Sequence, residues 1–198
     1  WPCLSEAEDL ELTSRSAILM DMNTGKILYS HNADERLQPA SITKILTLYM
    51  VDENMQQNGA RLSDSVKISP NACRTGGSKM FIKAGSEIPL GELVKGIAVV
   101  SANDASVAVA EHIAGSVETF VMKMNQKAGE LGMFNSNFKN PNGLPAKGQF
   151  TTARDMLILA YKYLDVRTGS HRIRFYRGHV EVRGFRGEGG GAQSAPDA

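Results

Sequence analysis

The stretch Pro39-Ala40-Ser41-Ile42-Thr43-Lys44-Ile45-Leu46-Thr47-Leu48-Tyr49 decides how the chain is read. A proline and small residues lead into apolar positions at helical spacing, Ile42, Ile45, Leu46 and Tyr49. Proline suits the first turn of a helix, where its missing N–H is not needed. Ser41 then sits at a helix start and Lys44 one turn on, and residues three apart on a helix share a face. A hydroxyl and an amine converge at the positive end of a helix dipole, where developing negative charge is favoured. Such a serine becomes a nucleophile once a base takes its proton. Lysine serves as that base when burial or a neighbouring cation lowers its pKa from about 10.4. Taken alone, the pattern also reads as a capping serine and a solvated lysine, since a chance Ser-x-x-Lys occurs roughly once in a chain of this size.

Downstream, an apolar run ends in Val99-Val100-Ser101-Ala102-Asn103-Asp104-Ala105-Ser106. Alone, Ser101 reads as a cap for the following helix and Asn103 as turn support. Together, the Ser-x-x-Lys and Ser-x-Asn motifs resemble the active-site serine penicillin-recognising enzymes, whose third signature is Lys-Thr-Gly. Four further segments narrow the resemblance: Asp21-Met22-Asn23-Thr24-Gly25-Lys26-Ile27-Leu28, Gly77-Ser78-Lys79-Met80-Phe81, Asn140-Pro141-Asn142-Gly143-Leu144 and Thr152-Ala153-Arg154-Asp155-Met156. Over 16–164 the chain is similar to the serine-type D-alanyl-D-alanine carboxypeptidases, the low-molecular-weight penicillin-binding proteins.

The resemblance implies an α/β (α+β) fold of the β-lactamase and transpeptidase kind. An antiparallel sheet carries packed helices, a helical region bears the Ser-x-Asn loop, and the nucleophile helix packs on the sheet. It implies that Ser41 attacks the carbonyl of the terminal D-Ala-D-Ala bond and is acylated. Lys44 takes the Ser41 proton, and Ser101 relays a proton to the leaving amine. Asn103 binds the substrate amide and helps hold Lys44, and the Ser41 N–H forms one arm of the oxyanion hole. The implied substrate is the peptidoglycan pentapeptide, with β-lactams as acylating inhibitors. No cofactor and no metal are implied. The location is extracytoplasmic, periplasm or cell wall, reached by a signal peptide not present here. Two other readings stand beside it: a β-lactamase, against which the carboxypeptidase-like segments speak, and a catalytically dead cell-wall-binding remnant.

The remaining sequence sets bounds. The chain has 198 residues and a formal net charge of +1, which gives no reason to expect nucleic acid. No apolar run is long enough to span a membrane. The resemblance allows peripheral membrane association of the full-length protein, since family members often have a C-terminal amphipathic helix; nothing in this sequence resembles one. Ser5-Glu6-Ala7 fits the small-x-small end of a signal peptide, or an ordinary frayed terminus. Cys3 and Cys73 allow a disulfide in an oxidising compartment or two unpaired thiols. His31, His112, His171 and His179 lack motif partners and are not read as bases.

Locally, Ser16–Met22 and Lys26–Ser30 flank Asn23-Thr24-Gly25 and read as a β-hairpin, the first run as a buried strand. From Leu62 to Tyr163 the pattern is mainly helical, with helices over Gly91–Val100, Asp104–Ile113 and Val117–Leu131 and another ending near Leu164. After Asp165 the basic residues are arginine only, and Glu188-Gly189-Gly190-Gly191-Ala192 cannot build a core. Within this tail Phe175-Tyr176 and Val180-Glu181-Val182 suit short strands. Arg167-Thr168-Gly169-Ser170 is the nearest string to Lys-Thr-Gly, but it lies too close to the preceding helix. The expected organisation is therefore an N-terminal segment over 1–14, the N-terminal part of a catalytic domain over 15–164, and a disordered or unrelated tail over 165–198. The resemblance stops short of Lys-Thr-Gly, as in a truncated enzyme with an incomplete sheet.

Overall fold

A computed structural model describes residues 12–22, 24–168, 173–176 and 179–182, with side chains up to residue 164. Ser5-Glu6-Ala7, Cys3 and residues 183–198 lie outside them.

Strands β1 (Ala17–Met20) and β2 (Ile27–His31) pair antiparallel with a bulge between Leu19 and Met20. Asp21 closes the turn: its carbonyl accepts from Gly25 N at 2.8 Å and its carboxylate from Thr24 N at 3.0 Å. Gly25 takes φ +69°, open to glycine at no steric cost. The hairpin is as expected, but β1 is not a buried strand. Leu19 is 52% exposed, with Ile27 and Leu28 also exposed on β2. Among the described residues the sheet has two strands, and β1 packs chiefly on α6, so much of its apolar surface has no cover.

A 3-10 turn over Ala40–Thr43 leads into α1 (Lys44–Asn58), which ends at Gly59 in the left-handed region. Helix α1 packs against α4, α5 and α6. The expectation that it rests on the sheet is thus corrected, because helices supply its main contacts. β3 (Ser65–Lys67) and β4 (Glu87–Pro89) form a second antiparallel pair around the short α2 (Pro70–Arg74). At three residues each, these strands are too short for alternation to register in a pattern that reads mainly helical.

Helices α3 (Leu90–Val100), α4 (Asn103–Ala114) and α5 (Val117–Leu131) follow the expected spans closely. Ser116 caps α5 by accepting from Thr119 N. Helix α4 is the central element, buried continuously from Asn103 to Ala110. Its small residues, Ala105, Ser106, Ala108 and Ala110, let neighbouring helices approach closely. One core cluster joins α4 to α3 and β3 through Leu90, Leu93, Val66 and Ile68. The other joins it to α1, α5 and α6 through Leu46, Phe120, Met124 and Leu159.

After α5, Asn125 fixes the returning chain, accepting from Phe138 N at 2.8 Å and donating to Phe138 O at 2.9 Å. Thr152 then caps α6 (Ala153–Thr168) by accepting from Asp155 N at 3.0 Å. The buried Asp155 carboxylate holds Asn135 N and the Ser136 hydroxyl. The Thr152–Met156 motif is therefore a helix start that also pins a loop. Helix α6 runs to Thr168, past the expected end near Leu164, so Arg167 and Thr168 are helical and do not lie on a cleft strand. Beyond it, β5 (Ile173–Tyr176) and β6 (His179–Val182) pair antiparallel, placing strands where the tail was expected to be disordered or at most to hold short strands. Cys73 on α2 is free of disulfides among the described residues.

Candidate active site

The 3-10 turn and the start of α1 put Ser41 and Lys44, three residues apart, on one face. Lys44 Nζ donates to Ser41 Oγ at 3.2 Å. Ser41 is exposed, whereas Lys44 is 4% exposed. The backbone turns sharply just before them: Ala40 holds φ +46°, uncommon for a residue with a side chain.

Lys44 has a second partner 98 residues away in sequence, the carbonyl of Asn142, at 2.7 Å. One turn along α1, the buried Thr47 hydroxyl donates to the Pro141 carbonyl at 2.6 Å. The Asn140–Leu144 segment supports itself: Asn140 Oδ1 accepts from Gly143 N at 2.7 Å and Asn142 Oδ1 from Leu144 N at 3.1 Å. Gly143 takes φ +84°, and a Cβ there would lie 1.8 Å from the Ala40 carbonyl oxygen. The position admits only glycine, because backbone presses on it from the serine turn.

Burial drives the Lys44 pKa down from the ordinary lysine value to about 8. At neutral pH this raises the neutral fraction of the amine roughly three-hundred-fold over a solvated lysine. The pair thus holds a hydroxyl beside an amine able to accept its proton. Among the described residues His31 and His112 are exposed, and neither is bonded to Ser41.

Ser101 and Asn103 sit where α3 hands over to α4. Ser101 takes the left-handed conformation, φ 55° and ψ 40°, ending α3, and Ala102 N closes on Gly96 O at 3.1 Å. The Asn103 side chain donates to Gly76 O at 2.8 Å, and its N–H donates to Ser78 O at 2.7 Å. Asn103 is expected to help hold Lys44, but the Lys44 amine bonds Ser41 Oγ and Asn142 O. Asn103 Oδ1 is buried with no partner among the described residues. Asp104, fully buried, accepts from Met80 N at 3.1 Å and Ile82 N at 3.3 Å, fixing the 76–82 loop to the start of α4. Gly77 lies between Asn103 and Leu144: a Cβ on it would fall 2.5 Å from Asn103 Nδ2 and 3.6 Å from Leu144 Cδ2. Through that contact the loop ahead of the Ser-x-Asn motif meets the loop that holds Lys44. The sequence signalled Asn140–Leu144 as a motif but gave no sign that a backbone carbonyl is its contribution to the pair.

The family model for D-alanyl-D-alanine carboxypeptidase matches residues 4–177. The chain belongs to that family. It is 47% identical over 156 residues to the D-alanyl-D-alanine carboxypeptidase DacF of Bacillus subtilis, covering 79% of this chain and 40% of the relative. Identity to DacC of Escherichia coli is 43% over 152 residues, covering 74% of this chain and 38% of the relative. The crystal structure of DacD from Francisella tularensis superposes with a TM-score of 0.76 at 44% identity, covering 78% of this chain and 38% of that one. Penicillin binding protein 5 from Haemophilus influenzae gives a TM-score of 0.75 at 34% identity, covering 87% of this chain and 52% of that one. The chain spans about two fifths of the length of these curated relatives.

Proposed function

We propose that this carboxypeptidase-family chain carries the nucleophile half of a serine D-Ala-D-Ala carboxypeptidase site, with 15–164 the N-terminal part of the catalytic domain. The observation that carries the reading is the Lys44–Ser41 pair, 3.2 Å apart with the amine buried. Lys44 accepts the Ser41 proton as Ser41 Oγ attacks the carbonyl carbon of the terminal peptide bond. The Ser41 N–H, an orphan donor at the start of the helix, faces the developing oxyanion. Ser101 passes a proton to the leaving D-alanine amine. Asn103 offers its unpartnered Oδ1 to a substrate N–H. Water then hydrolyses the acyl-enzyme.

The substrate class is the peptidoglycan stem pentapeptide, whose location makes the enzyme extracytoplasmic. β-Lactams acylate the same serine. The relatives' names, D-alanyl-D-alanine carboxypeptidase and penicillin binding protein, support both statements.

A second reading has one observation in its favour. Among the described residues the sheet beside the domain has two strands with exposed Leu19 and Leu28, and the Arg167-Thr168 string is helical. A folded chain whose Ser41 is not acylated is the competing outcome.

Labelling with a fluorescent penicillin, read by gel and intact mass, separates the two. An adduct on the chain that is absent from Ser41→Ala supports the carboxypeptidase reading. No adduct on a folded chain leaves the remnant.

A further inference from the structure

Helix α1 presents two donors on one face, Lys44 and Thr47, three residues apart. They meet two successive carbonyls: Thr47 Oγ1 bonds Pro141 O at 2.6 Å and Lys44 Nζ bonds Asn142 O at 2.7 Å. Successive carbonyls of an extended chain point to opposite sides. Here the turn closed by Asn140 Oδ1 on Gly143 N, with Gly143 at φ +84°, aims both at the helix. Thr47 is completely buried, and Pro141, Asn142 and Gly143 are buried with it, so the hydroxyl has no water to exchange with.

We infer that Thr47 is a positioning residue for the proton acceptor of the proposed reaction: its hydroxyl clamps the Pro141 carbonyl and so fixes the next carbonyl, Asn142, against Lys44. The inference rests on the assignment of Lys44 as base. Two bonds, one to the loop carbonyl and one to the nucleophile, hold the amine dry and aimed at Ser41. Without the Thr47 bond the loop has lost its tie to α1 one residue from the Lys44 contact. The amine then gains water and loses its fixed direction toward Ser41. Burial lowers the Lys44 pKa, so access of water to the amine shifts its titration upward.

The test compares the full chain with Thr47→Val, which keeps the shape and removes the donor, and Thr47→Ser, which keeps the donor. Two readouts are taken. One is the titration of Lys44 in chain labelled with 13C at lysine Cε, its signal assigned by loss in Lys44→Met. The other is the pH profile of acylation by fluorescent penicillin. Thr47→Val should raise the pH at which Lys44 titrates. It should also slow acylation at neutral pH by about ten- to a hundred-fold, the scale of a small misplacement, and carry the rising limb to higher pH. Thr47→Ser should behave as the parent. A folded Thr47→Val with the parent's titration and profile overturns the inference and reduces Thr47 to packing. If the parent forms no adduct, the proposed function fails, while the Lys44 titration still decides for or against the clamp. If Thr47→Val does not fold, Asn140→Ala, which frees the same loop at a half-buried residue touching neither Ser41 nor Lys44, is judged by the same titration.

Discussion

Lys44 shows how one residue's chemistry depends on burial more than on its neighbours' charge. The residue is 4% exposed, and desolvation lowers its pKa to about 8. The sign for stability follows: the unfolded chain holds this proton more tightly than the folded one. Folding stability therefore gains from Lys44 as pH rises from about 8 toward 10.5. The sign for reaction is the same, because the neutral amine is the base. Penicillin acylation of Ser41 should rise with pH through about 8 and level off above it, measured as initial adduct formation between about pH 6 and 10. A flat profile over that range would remove Lys44 from the role of base. A burial-shifted lysine of this kind is a marker of a functional site when it also has a specific partner, and here the partner is the serine hydroxyl.

Among elements, the start of α4 is where the site is organised. Asp104 lies in its first turn, favoured there by the helix dipole, and its carboxylate takes Met80 N, Ile82 N and Ala105 N. That one side chain fixes the 76–82 loop, whose Gly76 and Ser78 carbonyls in turn hold Asn103. Replacing Asp104 with Ala strips these N–H donors of their acceptor. The expected cost is about 2–4 kcal/mol, from losing hydrogen bonds to a charged group. Denaturant unfolding should show it as a lower midpoint. Asp104→Asn, which keeps one acceptor oxygen, should cost less. Equal stability of parent and Asp104→Ala would mean that the loop is held by packing of Met80 and Ile82 instead.

For the whole molecule, the β1–β2 hairpin carries a run of exposed apolar side chains close together in sequence. Among the described residues Leu19, Met22, Ile27 and Leu28 are all exposed on or beside a two-stranded sheet with open edges. Exposed apolar strand surface of this kind promotes self-association. The double variant Leu19→Lys, Leu28→Lys should reduce concentration-dependent association in light scattering, with stability changed by less than about 0.5 kcal/mol, as for surface positions. Unchanged scattering would place the sticky surface elsewhere.

The sequence by itself determined the β1–β2 hairpin, helices α3 to α5 and the family. The hairpin was legible because apolar runs flank an Asn-Thr-Gly turn, and α5 because Phe120, Met124 and Leu131 recur at helical spacing over Val117–Leu131. The Ser41–Lys44 approach was legible for the same reason, since a helical spacing of three puts the two side chains on one face. What only the tertiary structure decided were matters of partnership and cover. Asn142 reaches Lys44 across 98 residues through a backbone carbonyl, which every residue type carries and no side-chain pattern announces. Asn103 Nδ2 meets Gly76 O only because the 76–82 loop docks on the start of α4, a placement no local pattern announces. Leu19 is exposed despite its apolar surroundings in sequence, because burial is set by what packs opposite a strand and not by the strand's own composition. The lowered Lys44 pKa belongs to the same class: it sums the water displaced by every packed neighbour, a quantity that exists only once the chain has folded.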